Sequence, residues 1–257
     1  MLLGAHVPSA DPIAAAAARG ADVVQIFLSA PKAWKPPIAR KDAEVLRASP
    51  LPIYVHTPFI LNIATTNPKV RHPSRKALQE CCTAAATIGA RGVIVHGGHV
   101  PGDDEAAEGL ANWRKALDGL ETEVPVLIEN TAGGNNAMAR SIEQIERLWE
   151  ALDGVDTPLG FCLDTCHLHA AGEELIDGTK RLLDIVGRID LVHLNDSKDA
   201  FGSRRDRHQT LGVGEVADDE LVEVVRIADA DTVVETPGEA AEHAADITWI
   251  RERLGVA

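Results

Sequence analysis

The sequence predicts an α/β protein, a (β/α)8 barrel of the TIM type, on three observations. Eight short runs rich in apolar and β-branched residues recur along the 257 residues, and longer alanine-, leucine- and charge-rich stretches with helical spacing follow them. The repeat averages about 32 residues, one barrel unit, which leaves little chain for anything but a single domain over residues 1–257. Six of the runs close on a side chain able to bind a metal.

In order, the strand candidates are MLLGAH (1–6), DVVQIF (22–27), PIYVH (52–56), GVIVH (92–96), PVLIE (125–129), GFCLD (160–164), DLVHLN (190–195) and TVVE (232–235). DPIAAAAARG follows the first, SRKALQECCTAAATIG the third and SIEQIERLWEALDG the fifth, each with the 3.6-residue periodicity of a helix packed by one face. A doubly wound open sheet is the alternative, but no Gly-x-Gly-x-x-Gly follows the first strand, so no nucleotide cofactor is expected.

At 45% hydrophobic residues the chain can bury a sizeable core. Its opening lacks the basic region and apolar stretch of a signal peptide, and nowhere do about 18 apolar residues run together, so neither export nor a membrane partner is expected. Cys81 and Cys82 adjoin, while Cys162 and Cys166 flank an aspartate. That spacing suits buried thiols in a reducing cytoplasm better than a disulfide framework or a zinc knuckle. The net charge of −14 opposes nucleic-acid binding unless basic loops or metal reverse the field locally.

The six strand-end groups are His56, His96, Glu129, Asp164, His193 and Glu235. In a barrel the C-terminal ends of all strands meet around one ring, the face that carries active sites in this architecture. A lone histidine at a strand end is usually a core or capped residue; six donors in step would be costly together unless a divalent cation stabilised them. Asp164-x-x-His167 places His167 one turn beyond the sixth strand, and Asp206-x-His208 projects two side chains the same way if extended. His167, Asp206 and His208 thus make a possible third metal site. Nitrogen and carboxylate donors favour zinc, with manganese or iron possible. Two cations can clamp a phosphodiester while a third neutralises another developing charge, and a ligand bridging two metals must be a carboxylate, for which Glu129 is the candidate.

YVHTPFILNIAT, VIVHGGH, VLIENTAGG, FCLDTCHLHAAG, HLNDSKDAFGSRRDRHQTLGVG and VVETP resemble, in order, the signature blocks of the endonuclease IV family, zinc-dependent apurinic/apyrimidinic endonucleases of base-excision repair. VQIFLSAPKAW resembles the family's second-strand loop, so the likeness spans nearly the whole chain. The resemblance implies three zinc ions: one on His56, His96 and Glu129, a second on Glu129, Asp164, His193 and Glu235, a third on His167, Asp206 and His208. It implies attack by a metal-bridging hydroxide on the phosphorus 5′ to an abasic site in double-stranded DNA, leaving a 3′-hydroxyl and a 5′-deoxyribose phosphate, and removal of blocked 3′ ends.

The resemblance also assigns DNA contacts. Phe59 resembles an aromatic wedge, although it could equally cap the barrel. Lys32 stands where family members often place arginine, keeping the charge without the planar stacking surface. Arg204, Arg205 and Arg207, with Lys198, form a basic cluster after the seventh strand, and Lys69, Arg71 and Arg75 follow the third; taken alone, either is as readily a solvated surface. His99 is either a hydrogen-bonding residue behind a ligand or an idle surface residue, the second being favoured, and His169 competes with His167 as a ligand, the family pattern selecting His167. Loops that wrap DNA need no second subunit, so a monomer is expected. The rival is a metal-dependent sugar isomerase or epimerase on the same barrel, which would have no use for Asp206-Arg-His208 among arginines. A metal-storing or scaffold protein is a third class, against which the complete donor set argues.

Overall fold

A computed structural model describes residues 1–102, 105–134 and 136–256. In chain order its elements are β1 (Leu3–His6), α1 (Pro12–Ala17), β2 (Val23–Phe27), α2 (Ala43–Ala48), β3 (Ile53–His56), α3 (Pro68–Thr87), β4 (Gly92–His96), α4 (Ala106–Asp118), β5 (Val126–Glu129), α5 (Ile142–Leu152), β6 (Leu159–Asp164), α6 (Thr165–Ala171), α7 (Leu175–Val186), β7 (Leu191–His193), β8 (Asp196–Ser197), β9 (His208–Gln209), α8 (Asp218–Ala228), β10 (Asp231–Val234) and α9 (Ala240–Leu254). The barrel closes in the order β1–β2–β3–β4–β5–β6–β7–β10 and back to β1, with every pairing parallel. The eight strands fall where the eight apolar runs place them. Strands covered on both faces read as nearly continuous hydrophobic runs, which is why they stand out in the sequence.

Two apolar layers hold the barrel. The larger lies between strands and helices, with Trp113, Leu148, Leu182, Val225 and Ile247 buried in it. The smaller fills the inside of the barrel with Val23, Tyr54, Ile94, Leu127, Cys162, Leu191 and Val233, one residue from each strand except β1. A side chain at Gly4 would collide with the Val23 carbonyl, at 1.6 Å, so β1 contributes none at that level.

Several elements depart from the expectations. The helix expected from Ser74 begins at Pro68, because the Asn67 side chain caps it and Pro68 takes the first position, where a missing N–H costs nothing. Pro73 lies within that helix. After β6 the chain makes two helices; α6 follows the strand with no intervening loop and ends at Gly172, which adopts a left-handed φ of 87°. An antiparallel pair, β8 with β9, folds the segment beyond β7 back over the barrel mouth. Among the described residues no helix is long and apolar enough to cross a membrane.

Candidate metal centre

Side chains in a strand alternate faces, so the residue two positions beyond each inward apolar residue also points inward, one layer nearer the C-terminal mouth. Two residues past Val23, Tyr54, Ile94, Leu127, Cys162, Leu191 and Val233 stand Gln25, His56, His96, Glu129, Asp164, His193 and Glu235. Two past Gly4 stands His6, paired with Gln25 across β1 and β2. One change of layer thus converts an apolar plug into a polar ring. Six of its eight members are the strand-end donors read from the sequence; Gln25 and His6 complete it.

The donors converge in three groups, in each of which the facing atoms lie within 4.8 Å of one another: His56, His96 and Glu129; Glu129, Asp164, His193 and Glu235; and His167, Asp206 and His208. Glu129 joins the first two. Its Oε2 lies 3.1 Å from the Nε2 atoms of both His56 and His96, and its Oε1 lies 3.1 Å from His193 Nδ1 and 3.3 Å from His167 Nδ1. Asp206 Oδ1 stands 3.2 Å from Nε2 of His167 and of His208.

Three of the imidazoles are aimed by their outer nitrogen. His56 Nδ1 donates to the Thr57 carbonyl at 2.7 Å, His167 Nδ1 to Asn130 at 2.9 Å and His208 Nδ1 to Glu235 at 3.2 Å, which turns the three Nε2 atoms toward the carboxylates. Asp164 is clamped more tightly. Its Oδ1 caps α6 by accepting from His167 N at 2.7 Å, and its Oδ2 accepts from Asn195 Nδ2 at 2.8 Å. Asn130 binds the backbone of Asp164 through both ends of its amide. Asn195 Oδ1 in turn accepts from Glu235 N. Asn130, Asn195 and Gln25 were not singled out in the sequence; the signal for the two asparagines is their place one residue past Glu129 and two past His193, where a strand has just released the chain.

The electrostatics follow from crowding acids and imidazoles out of water. Burial pushes the Glu129 pKa upward, but the charges of His96 and His193, with hydrogen bonds from His167 and His193, hold it well below the usual carboxylate range. Glu235, also opposed by burial, is held down at about 2, His193 being the largest favourable influence. Against burial, Asp164 and Asp206 raise His167 well above its ordinary value, and Cys162, Glu235 and Glu129 do the same for His193. Against burial again, His208 is raised to about 9, chiefly by Asp164 and Asp206. Burial lowers His6 to about 4.

These residues fit a divalent cation. Nε2 of both His167 and His208 is buried without a hydrogen-bond partner, and on losing its proton to an incoming cation each would offer a lone pair beside a carboxylate. Cys166 lies within the same reach of Asp164 and His208. Burial pushes its thiol up to about 12, so nitrogen and oxygen remain the better donors at neutral pH. All four cysteines are buried free thiols, as their spacing suggested.

All of the donors except Asp164 and His193 line a cavity of about 250 Å3. A neighbouring cleft of about 780 Å3 shares His6, Phe27 and His243 with it. Phe59 stands at the rim, 46% exposed, stacked on His96 at 5.8 Å and edge-on to Phe27 and His56. It therefore both covers the histidines and presents a face to solvent. Lys32, Arg204, Arg205 and Arg207 are exposed on loops at this mouth. Arg205 and Arg207 converge on Asp199, whose negative charge offsets part of theirs. A side chain at Gly133 would meet the Arg204 carbonyl at 2.6 Å, so the loop after β5 seats the arginine loop closely. Arg71 and Arg75 donate to backbone carbonyls of Thr65, Thr66 and Asn112 and fasten the loop after β3. His99 is not idle: its backbone and ring nitrogens both meet Asn62, tying the loops after β3 and β4. His169 donates to the Asp199 carbonyl and packs on Phe201, away from the donor clusters. Trp34 and Phe201 are further exposed aromatics that the sequence did not single out.

Residues 13–253 match the family described as the xylose isomerase-like TIM barrel, which sets the class of protein. Within it, the chain is 56% identical over 254 residues to the probable endonuclease 4 of Mycobacterium ulcerans (strain Agy99), covering 99% of both chains. It is equally 56% identical over 255 residues to that of Mycobacterium tuberculosis (strain ATCC 25177 / H37Ra), covering 99% of this chain and 100% of the other. The crystal structure of endonuclease IV from Thermus thermophilus superposes with a TM-score of 0.85 at 29% identity over 99% of each chain. A D-tagatose 3-epimerase-like protein superposes at 0.78 with 20% identity, over 99% of this chain and 98% of that one, and shares the fold alone. The chain belongs to the endonuclease IV family and is accordingly a nuclease, a hydrolase.

Proposed function

We propose that this protein is a zinc-dependent base-excision-repair endonuclease. It hydrolyses the phosphodiester 5′ to an abasic site in double-stranded DNA, leaving a 3′-hydroxyl and a 5′-deoxyribose phosphate, and it clears blocked 3′ ends. One observation carries this reading: Glu129, buried at the centre of the ring, directs one oxygen to His56 and His96 and the other to His193. A carboxylate placed between two nitrogen-bearing clusters is the bridging element that a multinuclear phosphodiesterase needs. The relatives named endonuclease 4 support the substrate class.

In this reading His56, His96 and Glu129 hold one zinc, Glu129, Asp164, His193 and Glu235 a second, and His167, Asp206 and His208 a third. Bound there, the ions would activate water and neutralise charge developing at phosphorus. The chain's own work is to hold those donors. Carbonyls fix His56, His167 and His208, Asn195 and the start of α6 fix Asp164, and the apolar layer beneath excludes water from below. Phe59 and Lys32 enter or flank the base stack, and Arg204, Arg205 and Arg207 meet phosphates, offsetting the −14 charge locally. The barrel acts as a monomeric, single-domain cytoplasmic enzyme over residues 1–257.

The test is incubation with a duplex carrying one tetrahydrofuran abasic analogue, with and without chelator. Incision on the 5′ side leaving an extendable 3′-hydroxyl, lost as metal is stripped, is expected. An intact strand in the presence of bound metal would redirect attention to sugar isomerisation.

A further inference from the structure

The remaining members of the polar ring, His6 and Gln25, have no part in the donor clusters. Gln25 is fully buried, and its amide reaches three ring neighbours: Glu235 Oε1 at 2.6 Å, His193 Nε2 at 2.7 Å and His6 Nδ1 at 3.0 Å. Valence alone fixes where the hydrogens lie. Ionised Glu235 can only accept, so the amide nitrogen faces it. The amide oxygen therefore faces His193 and can only accept, which puts a hydrogen on His193 Nε2. The inner nitrogen of His193 is then Nδ1, 3.1 Å from Glu129 Oε1 and 3.2 Å from Glu235 Oε2. The second amide hydrogen meets His6 Nδ1, which must accept it, and the His6 hydrogen falls on Nε2.

This arrangement reverses that of His56, His167 and His208, which bind backbone carbonyls through Nδ1 and offer Nε2. His193 is held instead by a side chain. We propose that Gln25 is a positioning residue: it presents Nδ1 of His193 and Oε2 of Glu235 to the second zinc, and it holds His6 as the Nε2–H tautomer beside the cleft. This rests on the zinc reading above. Neither the strand-end count nor the family pattern includes Gln25, because glutamine in the middle of a strand is not itself a metal donor.

The experiment uses zinc-loaded protein labelled with 15N-histidine, as wild type, Gln25→Met and Gln25→Leu. Long-range 1H–15N spectra report each tautomer, and competition with a chelator reports zinc retention. Wild type should show His6 and His193 both carrying hydrogen on Nε2. Both variants should lose the single His6 tautomer and hold zinc about 10- to 100-fold more weakly, the usual cost of removing a partner behind a metal-bound histidine. Wild-type His6 protonated on Nδ1 would overturn the proposal without reference to any variant. So would variants with unchanged tautomers and zinc retention. Wild type that takes up no zinc would overturn the zinc reading beneath it, an outcome distinct from either.

Discussion

Glu129 is the one side chain shared by two of the three donor groups. Glu129→Gln keeps the shape but cannot offer two anionic oxygens, so incision should fall by about three orders of magnitude or more. Single-turnover kinetics and circular dichroism together check it, and wild-type rates in a folded variant would remove the bridging role. The neighbouring titrations make a second prediction, for protein stripped by chelator. His208 at about 9 is raised above its ordinary value, so its stabilisation is complete below about pH 6.5 and is lost as pH rises through 9. Glu235 at about 2 is depressed, so its stabilisation is complete above about pH 4.3 and is lost as pH falls toward 2. The melting temperature of stripped protein should therefore peak in mildly acidic buffer and decline between pH 6.5 and 9; a flat profile there in calorimetry would contradict it. At this scale the sequence was legible for donors that end strands, because chemistry and period coincide. Gln25 was hidden because polarity inside an apolar run carries no period of its own.

The loops and caps behave as separate elements. Phe59 stacks on His96 yet is half exposed, and Phe59→Ala should weaken binding to abasic duplex by about 1–3 kcal/mol, the worth of one stacked base, with zinc content unchanged. Fluorescence anisotropy beside metal analysis separates this from loss of a cover over His96. Where the loop after β5 enters α5, Ser141 and Gln144 form a reciprocal cap, and Ser141→Ala should cost about 1 kcal/mol in chemical denaturation without altering incision. Strands and long helices were legible as apolar runs and 3.6-residue patterns. The early start of α3, the split into α6 and α7 and the β8–β9 pair were not. They depend on caps and on contacts between distant loops, such as Gly202 N with the His169 carbonyl.

Across the whole molecule, the two ends of the barrel divide stability from chemistry. At the N-terminal end Tyr54 and Arg91 both donate to Asp231 beneath the apolar layer. Tyr54→Phe should lower stability by about 1 kcal/mol and leave the incision rate unchanged, measured by urea unfolding and the abasic-duplex assay. The opposite mouth gathers its ring of donors from β3, β4, β5, β6, β7 and the residue after β10, and its third group from α6, β9 and the loop before β9. A chain still emerging from the ribosome lacks Glu235 and has no closed ring, so on the proposed reading it lacks a ligand of the second metal. Completion of the proposed donor set and closure of the barrel are one event in the making of the chain.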